Sequence, residues 1–437
     1  MKILYHHRTA SKDGQAVHIE EMIGSLRALG HEVRVVAPGG ESAPEEKSKM
    51  GDDAGWVHRL RAKLPKALYE LLELAYSLVA YRRLAAAARD FQPDLIYERY
   101  NLYLLSGLML KRRLGVPLLL EVNAPLVDER AKFGGLALPR VARWAEDRVW
   151  RGADAVLPVT QVLGSMIAAR GVPAERMVVI PNGINEAHFD AAPSPEAAKQ
   201  ALGWEGALVL GFTGFVRDWH GMDKVIRWMA TEAAPANARL LVVGDGPERD
   251  NLERLAAELA LGERVRFTGV VSRDAVPAHV AAFDIALQPA VVAYASPLKL
   301  FEYLALGKAI VAPSTPNIEE VLDHDVNALL FDPAEPGALE ARLARLSADA
   351  ALRRRLGEGA RATIGRLHLT WHGNARRVVA LGQALRNGQG ARAAQQAAHQ
   401  AVLPGVPPGV HAAAQPAAHP AAHSAAHPAA PASDAKA

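Results

Sequence analysis

Two successive series of short apolar runs constrain the fold of this chain more than any other feature. The first series is "KILYH", "EVRVV", "DLIYER", "VPLLLEV", "ADAVLP" and "MVVIPNG", and the second is "ALVLGFTG", "ARLLVVG", "RVRF", "DIALQP", "AIVAP" and "NALLF". Glycine turns and amphipathic, helix-prone stretches separate the runs. Runs that are apolar on both faces are typical of parallel strands covered by helices. The sequence therefore predicts an α/β protein with two Rossmann-like, doubly wound parallel sheets.

A change of composition separates the two series. Between Phe189 and Gly206 the chain is rich in Ala, Pro, Ser and Glu, which is typical of a linker. A length of 437 residues is long for one core and suits two domains. We predict an N-terminal domain over residues 1–185 and a C-terminal domain over residues 186–368. Residues 387–437 are mostly Ala, Pro, Gly and His, so we predict a disordered tail there.

Composition and charge exclude several classes of function. The chain has no cysteine, which excludes disulfides, thiolate metal sites and cysteine nucleophiles. The formal net charge of +3 gives no global field that would favour a nucleic acid partner. No uninterrupted run of about 18 apolar residues is present, and the N-terminal apolar run is far shorter than a signal-peptide core. We therefore expect a cytoplasmic protein.

The stretch "SPLKLFEYLALGKAIVAP", residues 296–313, combines a predicted helix with a charged pair. Ser296 and Pro297 predict the helix start, with the serine hydroxyl as its cap. In a doubly wound sheet, ligands lie beyond the carboxyl ends of the strands, where helix N-termini point their free N–H groups. Lys299 adds positive charge to such a site, and Glu302 can accept two hydroxyl hydrogens from a diol. The alternative is an ordinary surface Lys–Glu pair.

A second cluster lies in "GFTGFVRDWHGMDKVI", residues 211–226, where an apolar strand ends at Gly214. Arg217 offers a planar fork suited to phosphate, and His220 is a second donor. The alternative is a solvated loop with Trp219 as a packing residue. Gly14 permits close backbone approach at the first strand-to-helix turn. The sequence has no complete G-x-G-x-x-G and no P-loop, so a dinucleotide cofactor or ATP has little support.

In this order, these motifs resemble those of the family 4 retaining glycosyltransferases, which have the GT-B fold. The resemblance extends to about Arg386 and includes "DGQAVH", "VVIPNGIN", "LLVVGDGP", "VRFTGVV" and "SPLKLFEYLALGKAIVA". Residues 369–386 resemble the family's closing helix, which crosses back to the N-terminal domain. The resemblance implies a cleft between the two domains.

The resemblance implies sugar transfer from a nucleotide-diphosphate sugar, a UDP- or GDP-sugar, with retention at the anomeric carbon. The C-terminal domain would hold the donor, and the N-terminal domain an acceptor hydroxyl of a glycan, a lipid-linked molecule or a small molecule. No metal or other cofactor is expected, and surface polysaccharide or glycoconjugate synthesis is the expected setting. The implied donor-binding residues are Gly14, Gly214, Val270, Val271, Ser296, Leu298 and Glu302.

This sequence departs from the family pattern at several positions. Tyr294 replaces the first glutamate of the E-x7-E motif, in which Glu302 is the second and holds the ribose. His220 replaces the lysine before the glycine, and Arg217 is assigned to the phosphates by proximity. Asn123 replaces a histidine at the end of an N-terminal strand. The implied catalytic residues are Arg217, His220, Lys299 and Asn123.

Acceptor contacts and partners are less constrained by the motifs. We expect Arg99 and Glu129 to bind the acceptor. Residues 56–89 combine basic, aromatic and apolar residues, so they predict either a membrane-surface helix for a lipid-linked acceptor or an ordinary docking helix.

Two other functions remain open. One is a nucleotide-sugar 2-epimerase, which shares this architecture. The other is an inactive nucleotide-sugar-binding partner subunit, which the changes at Tyr294 and Asn123 suggest.

Overall fold

The computed structural model of the protein describes residues 1–9, 14–38 and 64–402. In the N-terminal part, five strands alternate with helices. The strands are β1 (Lys2–His6), β2 (Glu32–Val36), β3 (Leu95–Arg99), β4 (Leu118–Val122) and β5 (Ala155–Pro158). The helices are α1 (Gly14–Ala28), α2 (Lys66–Phe91), α3 (Ser106–Leu114), α4 (Leu126–Glu129), α5 (Pro139–Gly152) and α6 (Gln161–Ala169). A π-helical turn, Arg130–Gly134, joins α4 to the segment before α5.

The C-terminal part repeats this alternation. Its strands are β6 (Leu208–Thr213), β7 (Ala238–Val243), β8 (Val265–Phe267), β9 (Ile285–Leu287), β10 (Ala309–Pro313) and β11 (Ala328–Phe331). Its helices are α7 (Glu186–Asp190), α8 (Pro195–Ala201), α9 (Met222–Met229), α10 (Arg249–Glu258), α11 (Val276–Ala281), α12 (Leu298–Ala305), α13 (Pro316–Glu319), α14 (Ala338–Ala348) and α15 (Ala350–Leu367). Two further helices follow, α16 (Trp371–Arg386) and α17 (Ala391–Gln400).

Each part is built on one parallel sheet. The first sheet has the strand order β2-β1-β3-β4-β5, and the second has the order β11-β10-β9-β6-β7-β8. Every strand pair is parallel. The strands β3, β4, β6 and β10 are buried along their whole length, because helices cover both faces of each sheet. The predicted two-sheet α/β fold is confirmed. The predicted strand at "MVVIPNG" is wrong, because Met177 forms only an isolated bridge to Val156. All carboxyl ends of a parallel sheet lie at one edge, and this edge positions the candidate site.

The chain passes between the two sheets twice, and the two crossings touch. Ile184 N donates to Leu369 O at 3.0 Å, and Trp371 N donates to Ile184 O at 3.2 Å. A Cβ at Gly183 would lie only 2.8 Å from the backbone of Thr370 and Trp371, so this close approach requires glycine. Beyond the crossing, α16 packs into the core of the N-terminal sheet.

The prediction of a disordered tail from residue 387 is wrong for residues 391–400. These residues form α17, and Ala394 and Ala398 are fully buried in the same core as α16. Gln395 Nε2 donates to Met177 O at 2.6 Å, which ties α17 to the N-terminal part. An alanine-rich helix buries little apolar area per residue. Here the small alanine side chains of α17 lie in the same core as α16. Residues 403–437 lie outside the described part of the chain.

Neither sheet is accompanied by a helix suited to crossing a bilayer. Among residues 1–9, 14–38 and 64–402, every helix is too short or too polar for that.

Truncation tests the role of α17. A chain that ends at Arg386 should unfold at a lower temperature than the full chain, because the core beneath α17 becomes exposed. The expected loss is about 2 kcal/mol, or roughly 4 to 8 °C in Tm. A chain that ends at Val402 is the control and should melt with the full chain. Equal melting temperatures for all three chains by calorimetry would contradict the assignment.

Candidate active site

Glycine turns bring two strand ends of the C-terminal sheet into direct backbone contact. A Cβ at Gly244 would lie 2.2 Å from Gly214 O, and a Cβ at Gly246 would lie 2.1 Å from Val216 O. Val216 N donates to Asp245 O at 2.8 Å. Gly214 and Gly244 have φ values of +123° and +132°, which side chains rarely adopt. The turns after β6 and β7 therefore form one tight floor at the carboxyl edge of the sheet.

Lys299 lies on this floor at the start of α12. Its Nζ is 3.7 Å from the centroid of the Phe212 ring, and a Cβ at Gly214 would be 3.3 Å from its Cε. Burial lowers the pKa of Lys299 to about 7, and the neighbouring Glu302 carboxylate offsets part of this effect. The ammonium is thus held in a partly dry place, against an aromatic face, with little opposing charge.

His220 occupies the same aromatic platform from another direction. Its ring centroid is 5.2 Å from that of Phe212. Arg217 N donates to His220 Nδ1 at 3.1 Å, so the proton of the neutral ring is on Nε2. Burial, together with repulsion by Lys299 and Arg217, lowers the pKa of His220 to about 3. At neutral pH His220 is therefore an uncharged N–H donor.

Glu302 lies one turn after Lys299. Thr213 Oγ1 donates to Glu302 Oε2 at 3.2 Å, and Thr213 N donates to the Tyr303 hydroxyl at 2.9 Å. Burial raises the pKa of Glu302, whereas the Thr213 hydrogen bond, Lys299 and Arg273 oppose this. One carboxylate oxygen is held by β6, and the other has capacity to accept further hydrogen bonds.

Arg217 is exposed within a small aromatic group. Its guanidinium lies 4.8 Å from the ring centroids of both Phe215 and Trp219. Trp219 in turn contacts Phe133 of the π-helical turn, with ring centroids 5.3 Å apart. Phe133 belongs to the N-terminal part, so this aromatic contact spans the cleft. Burial raises the pKa of Glu129, and Arg217 opposes part of this rise.

On the N-terminal side, Glu121 organises the polar floor of the cleft. It accepts from Tyr97 Oη at 2.7 Å and from Asn123 Nδ2 at 2.6 Å, and it forms an ion pair with Arg99. Burial alone would raise the pKa of Glu121, but His18 and Arg99 hold it well below the usual range. Arg99 is buried and engaged by Glu121, so its predicted contact with an acceptor stays a prediction.

Tyr294 and Glu129 face each other near the same cleft. Burial and the Glu129 carboxylate raise the pKa of Tyr294 to about 12. Tyr294 packs against apolar residues of the N-terminal part, and Thr160 Oγ1 donates to its carbonyl at 3.0 Å. The side chain that replaces the motif's first glutamate thus joins the two parts of the chain.

The structure corrects the predicted start of α12. The helix begins at Leu298 after Pro297, and no side chain caps it. Ser296 instead meets the segment that links the two sheets, because Asn182 Nδ2 donates to Ser296 O at 2.5 Å. Leu298 packs with the N-terminal core, and a Cβ at Gly14 would lie 3.0 Å from Leu298 Cδ1. The first strand-to-helix turn therefore approaches the start of α12.

The remaining predicted donor residues follow β8. The side chain of Val270 is 83% exposed, and Val271 packs against the core below α12. Gly269 has φ +69°, which turns the chain at this point. Both valines thus lie at the carboxyl edge that also carries Gly214.

Sequence reasoning missed Phe212, Arg273 and His18. Phe212 is the shared platform of Lys299 and His220. Arg273 forms ion pairs with Glu20 and Glu21 of α1. No local signal marks Arg273 or His18, because their partners lie more than a hundred residues away in the chain. In the described ranges, no group of three or more His, Asp or Glu side chains is arranged to hold a metal ion.

Comparisons with known proteins agree with this architecture. Residues 13–183 match the family model described as "Glycosyl transferase 4-like domain", and residues 195–363 match "Glycosyl transferases group 1". The matches indicate a glycosyltransferase with the GT-B fold, similar to family 4. A 2-deoxystreptamine glucosyltransferase of Streptomyces kanamyceticus is 28% identical over 295 residues, which cover 63% of this chain and 74% of the relative.

Solved structures share the fold of this chain. Sucrose-phosphate synthase from Thermosynechococcus elongatus has a TM-score of 0.72 at 19% identity, covering 89% of this chain and 100% of that chain. The Anabaena protein HepE in complex with UDP-glucose has a TM-score of 0.66 at 20% identity, with the same coverage.

The low pKa of Lys299 predicts a gain in stability when its charge is removed. Charging Lys299 costs more in the folded than in the unfolded state, so Lys299→Met should raise the free energy of unfolding. The gain should be largest at pH 7 and below, and it should shrink as pH rises towards the unfolded lysine pKa of about 10.4. We expect about 1 kcal/mol, or a few degrees in Tm, at pH 6.5.

Thermal denaturation at pH 6.5 and pH 9 measures this difference. Lys224→Met is the control, because Lys224 is an exposed lysine on α9. A Lys299→Met variant that melts below the wild type at pH 6.5 would show that the ammonium is not desolvated.

Proposed function

We propose that the protein transfers a hexosyl group from a nucleotide-diphosphate sugar to an acceptor hydroxyl, with retention at the anomeric carbon. The observation that carries this proposal is that Lys299 and His220 both lie against Phe212, beside the Glu302 carboxylate, with Arg217 on the same loop as His220. Lys299, His220 and Arg217 supply three groups of N–H donors at one strand edge, and such a set of donors favours a diphosphate as the ligand. A carboxylate one helical turn away suits the ribose hydroxyls of the same nucleotide.

The donor would lie along the carboxyl edge of the C-terminal sheet. Lys299 Nζ and His220 Nε2 would bind the diphosphate, and Arg217 would contact it from the exposed side. Glu302 would accept from the ribose diol, and the backbone around Val270 and Val271 would contact the base. Gly14, Gly214, Ser296 and Leu298 would allow the sugar diphosphate to approach the backbone. The complex of the structurally similar Anabaena protein with UDP-glucose supports this class of donor.

The same donors would promote the chemical step. As the glycosidic bond lengthens, negative charge grows on the leaving diphosphate, and Lys299, His220 and Arg217 are positioned to stabilise it. A two-step displacement would need a free carboxylate at the anomeric carbon. Glu121, the carboxylate at the cleft floor, is already engaged by Tyr97 and Arg99. We therefore favour front-face substitution, in which the departing phosphate oxygen accepts the proton of the acceptor hydroxyl.

Metal independence is part of the proposal. The side chains themselves supply positive charge and hydrogen-bond donors for the diphosphate, which is the role that a divalent ion has in other transferases. Asn123, held by Glu121, would donate or accept a hydrogen bond at the transferring sugar, but it cannot act as a base.

The acceptor would bind on the N-terminal side, near Glu129. We propose a glycan, a lipid-linked molecule or a small molecule as acceptor, in surface polysaccharide or glycoconjugate synthesis. The Streptomyces relative is named for 2-deoxystreptamine, which keeps small acceptors among the candidates. The 2-epimerase and the inactive binding subunit remain the alternatives, and they differ from transfer in their products.

Contact with the inner face of the cytoplasmic membrane is the proposed setting for a lipid-linked acceptor. Residues 56–63 of the predicted membrane helix lie outside the described residues, but α2 covers the rest. Its exposed face carries Leu68, Leu71, Leu72, Leu78 and Val79, each more than 40% exposed. In its first two turns the buried face carries Glu70 and Glu73, and further along it carries Leu84, Ala88 and Phe91.

The charge around this apolar face suits an anionic surface. Lys66 precedes the leucines, and Arg82 and Arg83 follow them, all exposed. Glu70 accepts from Ala137 N and Leu138 N at 2.7 and 2.8 Å, and Glu73 pairs with Arg130. The inward carboxylates thus hold the loop that carries Phe133, while the outer face is free to contact lipid.

A donor screen tests transfer directly. Purified protein is incubated with radiolabelled UDP- and GDP-sugars, with and without EDTA, and with candidate acceptors. Labelled acceptor that persists in EDTA supports the proposal, whereas interconversion of the free donor supports the epimerase. Tight nucleotide binding without either product supports the inactive subunit and contradicts transfer.

The role of Glu302 is tested by calorimetric titration with the nucleotide of the active donor. Glu302→Gln should weaken nucleotide binding by roughly 10- to 100-fold, because the ribose loses a charged acceptor. Glu258→Gln, on the exposed surface of α10, is the control. Unchanged affinity in Glu302→Gln would remove Glu302 from the nucleotide site.

Membrane contact is tested by flotation with vesicles that contain anionic lipid. The wild type should float with the vesicles and be released by high salt, because exposed cations contribute to binding. The double variant Leu71→Gln/Leu72→Gln should lose most of this binding. Leu114→Gln, an exposed leucine on α3, is the control. Flotation that does not differ between the variants would exclude α2 as the contact surface.

A further inference from the structure

We propose that His18 and Asn182 form a cationic link that positions the start of α12 against the floor of the N-terminal sheet. This inference deepens the proposed function, since α12 carries Lys299 and Glu302. The link consists of four groups in a row: Glu121 on β4, His18 on α1, Asn182 in the crossing segment and the backbone of the half-buried Ser296.

Each step of the link is a short polar contact. His18 Nε2 lies 3.1 Å from Glu121 Oε2, as an ion pair that is not aligned as a hydrogen bond. His18 Nδ1 lies 2.8 Å from Asn182 Oδ1. Asn182 Nδ2 donates to Ser296 O at 2.5 Å, and Asn182 N donates to Ser296 Oγ at 3.4 Å. His18, Glu121 and Asn182 are each no more than 5% exposed.

The hydrogen-bond pattern fixes the protonation of His18. Ser296 O can only accept, so the Asn182 amide must turn its nitrogen towards Ser296 and its oxygen towards His18. His18 Nδ1 must then carry a proton. His18 Nε2 faces a carboxylate oxygen, and a lone pair there would meet another lone pair. Both ring nitrogens therefore hold protons, and His18 is a buried imidazolium.

The surroundings of His18 are consistent with this charge. Glu121 faces it from β4, and the Trp371 ring of α16 contacts its edge, with centroids 4.7 Å apart at 64°. Arg99 also pairs with Glu121, so two cations share one carboxylate. The oxygen that Arg99 contacts, Glu121 Oε1, also accepts a hydrogen bond from Asn123 Nδ2. One turn along α1, Glu21 pairs with Arg273 rather than with His18.

The consequence is mechanical as well as electrostatic. Glu121 also holds Asn123 at the acceptor side, so one carboxylate connects the predicted sugar contact with the start of the donor helix. Loss of the link should let α12 move relative to the cleft floor. His18 and Asn182 are thus positioning residues: they act through α12 and need not touch substrate. Misplacement by about 1 Å can reduce turnover by roughly 100-fold.

Nitrogen NMR of histidine-labelled protein tests the charge. At pH 7.5 an ordinary histidine is mostly neutral, since its pKa is about 6.5. The signals that disappear in His18→Gln should show two protonated ring nitrogens in the wild type at that pH. A single neutral tautomer would overturn the cationic link.

Hydrogen exchange and kinetics test the positioning role. In His18→Gln and in Asn182→Ala, amides of residues 298–305 should exchange at least about fivefold faster, and kcat for transfer should fall roughly 10- to 100-fold. The nucleotide Kd should stay within about twofold, because the phosphate and ribose contacts remain on α12. Asn182→Ala breaks the link at the Ser296 end. It provides the same test if His18→Gln does not fold.

The matched control is His6→Gln. His6 is equally buried, at the end of β1, and its Nδ1 lies 2.6 Å from Glu98 Oε2. The contacts described for this pair are with each other and with Gly107 on α3, not with Asn182 or α12. Its loss should therefore leave hydrogen exchange in residues 298–305 unchanged. Equal effects in both histidine variants, or no effect in either, would overturn the inference. If the wild type transfers no sugar, the proposed function fails, whereas the NMR and exchange results still decide on the link.

Discussion

The rest of the site depends on a buried aromatic ring that carries two nitrogen donors. Phe212 is the penultimate residue of β6, and both Lys299 and His220 lie on its ring. Burial lowers the pKa of both donors, and repulsion by Lys299 and Arg217 lowers that of His220 further. A diphosphate would favour the charged lysine and would accept from the imidazole N–H. The glycine turns beneath Lys299 keep this arrangement compact.

Polar contacts between the two parts of the chain add to the apolar contacts of Leu298, Tyr294 and Trp219. Arg273 reaches from beyond β8 to Glu21 of α1, and the Glu320 carboxylate caps the first turn of α6 through Gln161 N and Val162 N. The His18–Asn182 link adds a third contact at the start of α12. Polar contacts can exchange with water at modest free-energy cost, so such an interface suits domains that open and close around a substrate.

Much of the fold was predictable, because strands buried on both faces leave a continuous apolar run in the sequence. The position of Lys299 and Glu302 after such a strand was predictable for the same reason. The prediction of a disordered tail failed at α17. Its alanines are buried in the core that contains α16, and the sequence alone does not show that α16 lies beside them. The prediction that Ser296 caps α12 failed, because Asn182 in the crossing segment between the sheets contacts Ser296 instead. His18 and Arg273 could not be found, since their partners are 164 and 253 residues away in sequence.

The most direct test of the central claim is a crystal structure with UDP or GDP bound. The account predicts phosphate oxygens within hydrogen-bond distance of both Lys299 Nζ and His220 Nε2, and ribose hydroxyls on Glu302. A nucleotide bound with its phosphates away from Phe212, or with Glu302 still engaged only by Thr213, would contradict it.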